Sequence, residues 1–248
     1  MLQNFESLVL IWLGIGFITF ITLLKIPAPY GKFSKTNWGP MIPSKFGWIV
    51  MEIISPLALL YFFLNGNIEK TPTNITFISL WTLHYLNRSV IYPLKQNNPA
   101  KMPLLIAVLA FLFNVMNGYI NGTYFGSIQE YSAEYMSNWN FIVGVCLFIT
   151  GAYINIKSDN ILLSLRSKSG EYKIPEGFMF RYVSFPNYLG EILEWMAFAI
   201  MTWSIAGLSF MIWTMANLVP RAIKGHQWYH SKFESYPKNR KAIFPFII

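Results

Sequence analysis

The stretch NYLGEILEW, residues 187–195, carries two glutamates within one of the most apolar parts of the chain. A charged side chain placed in hydrocarbon costs ~3 kcal/mol or more, so ionisable residues inside membrane helices usually face a cavity or a polar partner. Asn187 and Glu191 are four residues apart and therefore share one face of a helix. The stretch predicts a membrane helix whose polar face meets a ligand or other polar side chains.

The composition of the chain is that of a membrane protein. Of the 248 residues, 54% are hydrophobic and only 12% are charged, about half the usual share in soluble domains. Seven apolar segments are candidate membrane spans, most of them long enough for a hydrocarbon core of about 30 Å. They are residues 8–24, 47–65, 75–92, 103–125, 141–157, 188–204 and 206–222.

Basic residues alternate between the connections of these spans. Of the 19 Lys and Arg residues, all but Lys70 lie in or beside the first, third and fifth connections or after the last span. The positive-inside rule places those regions in the cytoplasm. We therefore expect an all-α bundle of seven transmembrane helices, with the N-terminus outside and the C-terminus cytoplasmic. The net charge of +8 then requires no nucleic acid partner.

One integral-membrane domain over residues 1–248 is the simplest organisation. The N-terminal segment lacks a basic n-region and a small-residue cleavage site, so we expect it to be retained as the first span. Cys146 is the only cysteine, which excludes an internal disulfide. The bacterial inner membrane and the endoplasmic reticulum are equivalent locations for this multi-pass topology.

Polar residues gather at or inside the cytoplasmic ends of the predicted spans. Each could serve the fold alone, as a neutral acid, an amide between helices or an arginine that reaches the interface. Together they indicate a cavity open to the cytoplasm, with basic residues at its mouth for an anionic ligand. The residues are Glu52, His84, Tyr85, Arg88, Asn155, Asp159, Arg166, Asn187, Glu191, Glu194, Arg221, His226 and Tyr229.

Motifs of several common sites are missing from the sequence. His226 and His230 have a spacing that can bind a metal, but no Cys lies nearby and no H-E-x-x-H pattern occurs, so we expect no metal site. No G-x-G-x-x-G follows a strand, so helices and loops would have to hold any nucleotide. The sequence also lacks G-x-S-x-G and a plausible Ser–His–Asp set.

In their order and spacing, the motifs resemble those of the steroid 5-alpha-reductase family. The resemblance covers most of the chain, and its C-terminal run is the most distinctive part. It implies a seven-span bundle that binds NADPH, with mainly the substrate half in residues 1–125 and mainly the cofactor half in residues 126–248. The matching segments are PYGK (29–32), WIVMEIIS (48–55), LHYLNRS (83–89), INIKSD (154–159) with Arg166, YKIP (172–175), NYLGEILEW and HQWYHSKFESYPKNRKAIFPFII (226–248).

The resemblance also implies roles for individual residues. Glu52 and Tyr85 match the catalytic pair that grips the substrate's ketone, and Met51 lies beside them where steroid enzymes of the family have glutamine. Lys101 stands in for an arginine expected after the third span, and Lys224 and Gly225 replace histidines found in relatives. The cofactor ligands carried over by position are Arg88, Lys101, Asn155, Asp159, Arg166, Tyr172, Asn187, Glu191, Trp195, Arg221, His226 and Tyr229.

The activity that the resemblance implies is NADPH-dependent reduction of the Δ4 double bond of a 3-oxo-steroid or a similar enone lipid. The substrate would enter from the bilayer, and we expect the protein to act as a monomer. Hydride arriving at the β-carbon pushes charge onto the ketone oxygen, where a hydrogen-bond donor stabilises it. Tyr85 supplies such a donor directly, and Glu52 supplies one when burial keeps it protonated.

Three other functions stay open on the sequence. A reductase of trans-2-enoyl thioesters or polyprenols would share the C-terminal motifs but not the ketone. A membrane methyltransferase of the isoprenylcysteine type would bind a donor with one small anionic group, whereas the many basic residues here suit a phosphorylated dinucleotide. A non-enzymatic lipid-binding protein would leave the arginine cluster without a function.

Overall fold

The computed structural model of the protein describes residues 2–96, 100–165 and 172–248. Within these residues the fold is mainly α-helical, as predicted. A π-helical turn at Asn87–Ile91 joins α3 to α4, and a second one at Tyr124–Ile128 extends α5. The helices are α1 (Leu2–Lys25), α2 (Ser44–Leu64), α3 (Pro72–Leu86), α4 (Tyr92–Lys95), α5 (Leu104–Thr123), α6 (Trp139–Leu165), α7 (Pro186–Thr202) and α8 (Ile205–Lys232).

Four of these segments are long and apolar enough to cross a membrane. They are Leu2–Lys25, Ser44–Leu64, Leu104–Ile128 and Trp139–Leu165. Helices α3 and α7 have 15 and 17 residues, short of the about 20 that span a hydrocarbon core. The prediction of a helical membrane protein is confirmed, whereas seven spans and the orientation of the termini stay predictions.

Several helix ends differ from the predicted spans because polar residues continue the helices beyond the apolar segments. Helix α6 runs to Leu165 instead of ending near residue 157, and α8 runs to Lys232 instead of residue 222. Asp159 is therefore a helical residue of α6, and Arg221, His226 and Tyr229 all belong to α8.

The chain divides into two compact units. The first unit contains Met1–Val9 and Ala28–Ile142, and the second contains Leu10–Pro27 and Val143–Ile248. In the first unit, strand β1 (Met41–Pro43) pairs antiparallel with β2 (Lys101–Pro103). This short pairing was not expected from the sequence, and it joins the segments that lead directly into α2 and α5.

Helices α2 and α5 of the first unit approach each other closely through glycines. A Cβ atom on Gly118 would lie 2.6 Å from the Cβ of Ala58, and one on Gly122 would lie 2.6 Å from the Leu59 carbonyl oxygen. Such contacts leave no room for a side chain, so the two helix backbones pack directly against each other. This packing fixes α5 against the part of α2 that follows Glu52 in the same helix.

Glycines also bring α6 and α7 of the second unit into backbone contact. A Cβ atom on Gly190 would lie 2.5 Å from the Asn155 backbone nitrogen and 2.7 Å from the Gly151 carbonyl oxygen. Gly190 is the fourth residue of NYLGEILEW, so the stretch that indicates a polar helix also sets how α7 packs. Pro186 starts α7 at a position that needs no backbone N–H donor.

The C-terminal segment of the second unit returns to the start of α7. Val183 and Lys241 form a parallel bridge, in which the Ser184 backbone N–H donates to the Lys241 carbonyl at 2.8 Å. The Phe185 N–H donates to the Ala242 carbonyl at 3.1 Å. These bonds hold the distinctive C-terminal run against the residues that precede α7.

We predict that Gly190→Ala destabilises the protein by ~1–3 kcal/mol, because the added methyl group meets backbone atoms that cannot rotate away. Thermal unfolding in detergent should show a lower midpoint. The matched control is Gly14→Ala in α1, where an added Cβ meets no atom within 4 Å and helix propensity improves. Equal midpoints for the two variants would contradict the close approach of α6 and α7.

Candidate functional site

A chain of buried amides links α6 to α7 in the second unit. The Asn155 side-chain Nδ2 donates to the Asn187 carbonyl at 3.0 Å, and the Asn187 Nδ2 donates to the Asp159 Oδ1 at 2.9 Å. All three residues are buried. The family resemblance implies that these residues are cofactor ligands, and the structure brings them into direct contact with one another.

The Asn187 amide is left with one acceptor that makes no hydrogen bond within the described residues. Because the Asp159 carboxylate needs a donor, the amide must turn its NH₂ group toward it, and its Oδ1 points elsewhere. This Oδ1 is buried without a partner in the part of the chain that the structure describes, and the residue is 7% exposed. A buried acceptor without a donor costs about 1–3 kcal/mol, so the site favours a ligand that supplies an N–H or O–H group.

The other polar and aromatic residues of NYLGEILEW differ in burial. Glu191 is partly buried, whereas Glu194 is 1% exposed. Trp195 is also buried, with its ring 4.5 Å from that of Phe210 in an edge-to-face contact. Trp195 therefore supports the packing of α7 on α8, and a role for it in cofactor binding stays a prediction.

An arginine and a set of aromatic rings lie on α7 and α8 near the amide chain. Arg221 donates its Nε–H to the Tyr188 hydroxyl at 2.9 Å. The Tyr188 ring stacks on Phe185, and Phe185 also contacts Tyr229. Tyr188 was not among the cofactor ligands predicted from the sequence, although it directly follows Asn187, which was.

Two further predicted ligands of the second unit have different surroundings. Tyr172 is exposed and contacts the Trp228 ring edge-to-face at 4.9 Å. Tyr229 is buried and stacks on Tyr236 with centroids 5.1 Å apart. Arg166, which was also predicted as a cofactor ligand, lies outside the described residues.

His226 ends a directed chain of hydrogen bonds that begins at Arg240. Arg240 donates its Nη1 to the Tyr236 hydroxyl at 3.3 Å, and Tyr236 donates its proton to the Ser184 Oγ at 2.7 Å. The Ser184 Oγ lies 2.6 Å from the His226 Nδ1. Since Arg240 only donates and Tyr236 has one proton, the Ser184 proton is available for His226. Donation from Ser184 favours the tautomer in which Nδ1 accepts and Nε2 carries the proton.

The surroundings of His226 also keep its ring neutral. Burial lowers the pKa of His226 to about 4, and the nearby charges of His230, Arg240 and Lys241 lower it in the same direction. His230 lies close, with ring centroids 4.5 Å apart. Within the described residues, no group of three or more His, Cys, Asp or Glu side chains is placed to hold a metal.

The predicted catalytic residues lie in the first unit, on α2 and α3. Glu52 is partly buried on α2. Tyr85 is 4% exposed on α3, and its ring stacks on Trp81 with centroids 5.7 Å apart. The Tyr85 hydroxyl donates to the Asn114 Oδ1 at 3.2 Å, and the Asn114 Nδ2 donates to the Met51 carbonyl at 2.6 Å. Asn114 was missing from the sequence-based set.

Arg88 and Lys101, predicted as cofactor ligands, also belong to the first unit. Arg88 lies in the π-helical turn, with its guanidinium 4.9 Å from the Trp48 ring centroid and 5.3 Å from that of Tyr92. The ring faces stabilise a buried cation electrostatically. Lys101 is exposed on β2. Their contact with a cofactor stays a prediction.

The apolar helices and their buried polar residues define the class as a helical membrane protein. The sequence profile of the family described as 3-oxo-5-alpha-steroid 4-dehydrogenase matches residues 100–248. A steroid 5-alpha-reductase of Solanum lycopersicum is 43% identical, with 98% of this chain and 96% of the relative covered. One of Arabidopsis thaliana is 42% identical, covering 92% of this chain and 91% of the relative.

An animal relative is similar over nearly as much of the chain. A 3-oxo-5-alpha-steroid 4-dehydrogenase 1 of Rattus norvegicus is 36% identical, with 94% of this chain and 91% of the relative covered. The chain belongs to the 3-oxo-5-alpha-steroid 4-dehydrogenase family of oxidoreductases, which confirms the resemblance seen in its motifs.

We predict that His226 makes part of the stability depend on pH. Its pKa of about 4 in the folded protein lies below the value of about 6.5 expected when unfolded. The contribution of the neutral imidazole to the free energy of unfolding is therefore present above pH 6.5 and is lost as the pH falls from 6.5 towards 4. The thermal midpoint of His226→Asn should fall less than that of the wild type over this range. Identical pH profiles would contradict a neutral, buried imidazole.

Proposed function

We propose that the protein reduces the Δ4 double bond of a 3-oxo-steroid, or of a similar enone lipid, with NADPH as the hydride donor. The names of its plant and animal relatives support the reaction class, because the similarity covers nearly the whole chain. The observation that carries the cofactor part of the proposal is the buried acceptor at Asn187.

The residues of the second unit fit a nicotinamide dinucleotide. Its carboxamide, its ribose hydroxyls and its adenine amino group all supply donors that could satisfy the Asn187 Oδ1. Arg221 adds a cation on the neighbouring helix, and His226 adds a neutral Nε2–H donor. We infer that Asn187, Arg221 and His226 hold the cofactor together with Asn155 and Asp159, which orient the Asn187 amide.

The residues of the first unit fit a ketone that becomes an enolate. When bound, NADPH supplies the hydride that is added to the β-carbon of the enone. The charge that then develops on the ketone oxygen needs donors already in place, and the Tyr85 hydroxyl is one. Glu52 is the second when its carboxyl group is protonated. Uptake of a proton at the α-carbon completes the reduction.

One observation favours the competing activity on enoyl thioesters or polyprenols. Met51 is buried beside Glu52 and brings a thioether where an amide donor is expected for steroids. A panel of testosterone, progesterone and an enoyl thioester, assayed with NADPH and mass spectrometry, separates the two activities. Reduction of the steroids supports our proposal, and reduction of the thioester alone would replace it.

We predict that Asn187→Leu and Arg221→Gln weaken NADPH binding. Loss of a charge-assisted hydrogen bond costs about 1.5–3 kcal/mol, so the dissociation constant of Arg221→Gln should rise at least ~10-fold. The Asn187→Leu change removes the buried acceptor and should have a similar effect. Titration of the purified protein with NADPH measures both.

The matched control for the cofactor prediction is Asn217→Leu on α8. Its amide donates to the Trp213 carbonyl of its own helix at 3.1 Å and is assigned no contact with the cofactor. NADPH affinity should therefore be unchanged in this variant. Wild-type affinity in Asn187→Leu and Arg221→Gln alike would overturn the assignment of the cofactor site.

We predict that Tyr85→Phe slows hydride transfer by about 100-fold, because the enolate loses one preorganised donor while the packing is kept. Single-turnover measurements with excess NADPH follow this step. Glu52→Gln retains an N–H donor and should reduce the rate less than Glu52→Ala. The matched control is Tyr131→Phe, the same change at another buried tyrosine of the first unit. A wild-type rate for Tyr85→Phe would rule out its role at the ketone.

A further inference from the structure

The Asn114 side chain connects the two helices that carry the proposed ketone-binding pair. Its Nδ2 donates to the carbonyl of Met51, the residue directly before Glu52 on α2. Its Oδ1 accepts the proton of the Tyr85 hydroxyl on α3. Asn114 is 4% exposed, so both bonds are made away from water. One amide on α5 therefore contacts the surroundings of both proposed catalytic residues.

The orientation of this amide follows from its partners. A backbone carbonyl can only accept, so the NH₂ group of Asn114 must face Met51. The Oδ1 is then left for Tyr85, which has a single proton to donate. In this state the Tyr85 proton is directed at Asn114, which favours one orientation of the hydroxyl.

The two hydrogen bonds of Asn114 differ in length and therefore in strength. The bond to the Met51 carbonyl is short, at 2.6 Å, whereas the bond from Tyr85 measures 3.2 Å and exceeds the usual 2.5–3.0 Å of O–H···O bonds. Asn114 is thus fixed firmly to α2 and binds Tyr85 loosely. A ketone oxygen at normal distance would compete well for the Tyr85 proton.

Helix α2 lacks one backbone hydrogen bond close to Glu52. Pro56 lies inside α2, four residues after Glu52. Because proline has no N–H, it cannot make the helical hydrogen bond to the Glu52 carbonyl. The segment that carries Glu52 is therefore held less firmly by its own helix, and the bond from Asn114 to the preceding carbonyl supports it from α5.

We propose that Asn114 is a positioning residue for the reduction, without contact to the substrate. It sets the orientation of the Tyr85 hydroxyl and the position of the α2 backbone at Glu52, and it accepts the Tyr85 proton until a ketone arrives. This inference rests on the proposed function, because it assigns Asn114 a role through Tyr85 and Glu52.

The first test is Asn114→Leu, which keeps a similar volume and removes both hydrogen bonds. We expect the single-turnover rate of enone reduction to fall by ~10-fold or more, with the NADPH dissociation constant unchanged. The matched control is Asn121→Leu, which removes a buried asparagine two turns further along α5, where the amide donates to the Asn117 carbonyl. A purely structural role would lower the thermal midpoint of both variants and leave the rate per folded molecule unchanged.

The second test combines Asn114→Leu with Tyr85→Phe. If Asn114 acts mainly through the Tyr85 hydroxyl, the double variant should be no more than ~3-fold slower than Tyr85→Phe alone, since coupled residues are not additive. Full additivity of the two effects would overturn the action of Asn114 through Tyr85. Asn114→Ser, which is too short to reach both partners, replaces Asn114→Leu in the cycle if the leucine variant does not fold.

The outcomes also separate this inference from the function on which it depends. A wild-type rate for Tyr85→Phe would contradict the proposed function itself. A slow Tyr85→Phe together with a wild-type rate for Asn114→Leu would leave that function standing and refute the role of Asn114 alone.

Discussion

The direct backbone contact between α6 and α7 is the constraint on which the second unit depends. Gly151 and Gly190 leave no space for a side chain between the two helices. Only at this separation can Asn155 reach the Asn187 carbonyl and Asn187 reach Asp159. The contact between the two helices therefore sets the geometry of the buried amide chain.

In each unit, hydrogen bonding fixes the orientation of one buried asparagine amide, Asn187 in the second unit and Asn114 in the first. In each, an obligatory acceptor fixes the NH₂ group: the Asp159 carboxylate for Asn187 and the Met51 carbonyl for Asn114. The Oδ1 atom is then aimed without ambiguity, at a proposed cofactor donor in one case and at the Tyr85 hydroxyl in the other. Because both amides are buried, the opposite orientation would leave polar atoms without hydrogen bonds away from water, which costs free energy.

Much of the helical fold could be predicted, because apolar length is a local property. Four-residue spacing placed Asn155 and Asp159 on one helix face, but their contact with Asn187 on another helix came only from the structure. The assignment of these residues to a cofactor came from the family resemblance and stays a prediction. The contacts of Ser184 and Arg240 could not be predicted, since they depend on the C-terminal segment returning to the start of α7. Asn114 had a local signal, as a polar residue in an apolar span, but its partners on two other helices could only come from the structure.

A cryo-electron microscopy structure of the protein in lipid nanodiscs with NADPH tests the central claim most directly, since it shows what meets the buried acceptor of Asn187. The account predicts that a donor atom of NADPH lies within about 3.2 Å of the Asn187 Oδ1, while the Asn187 Nδ2 still faces Asp159. NADPH bound elsewhere, with Asn187 Oδ1 contacting only protein atoms, would contradict it.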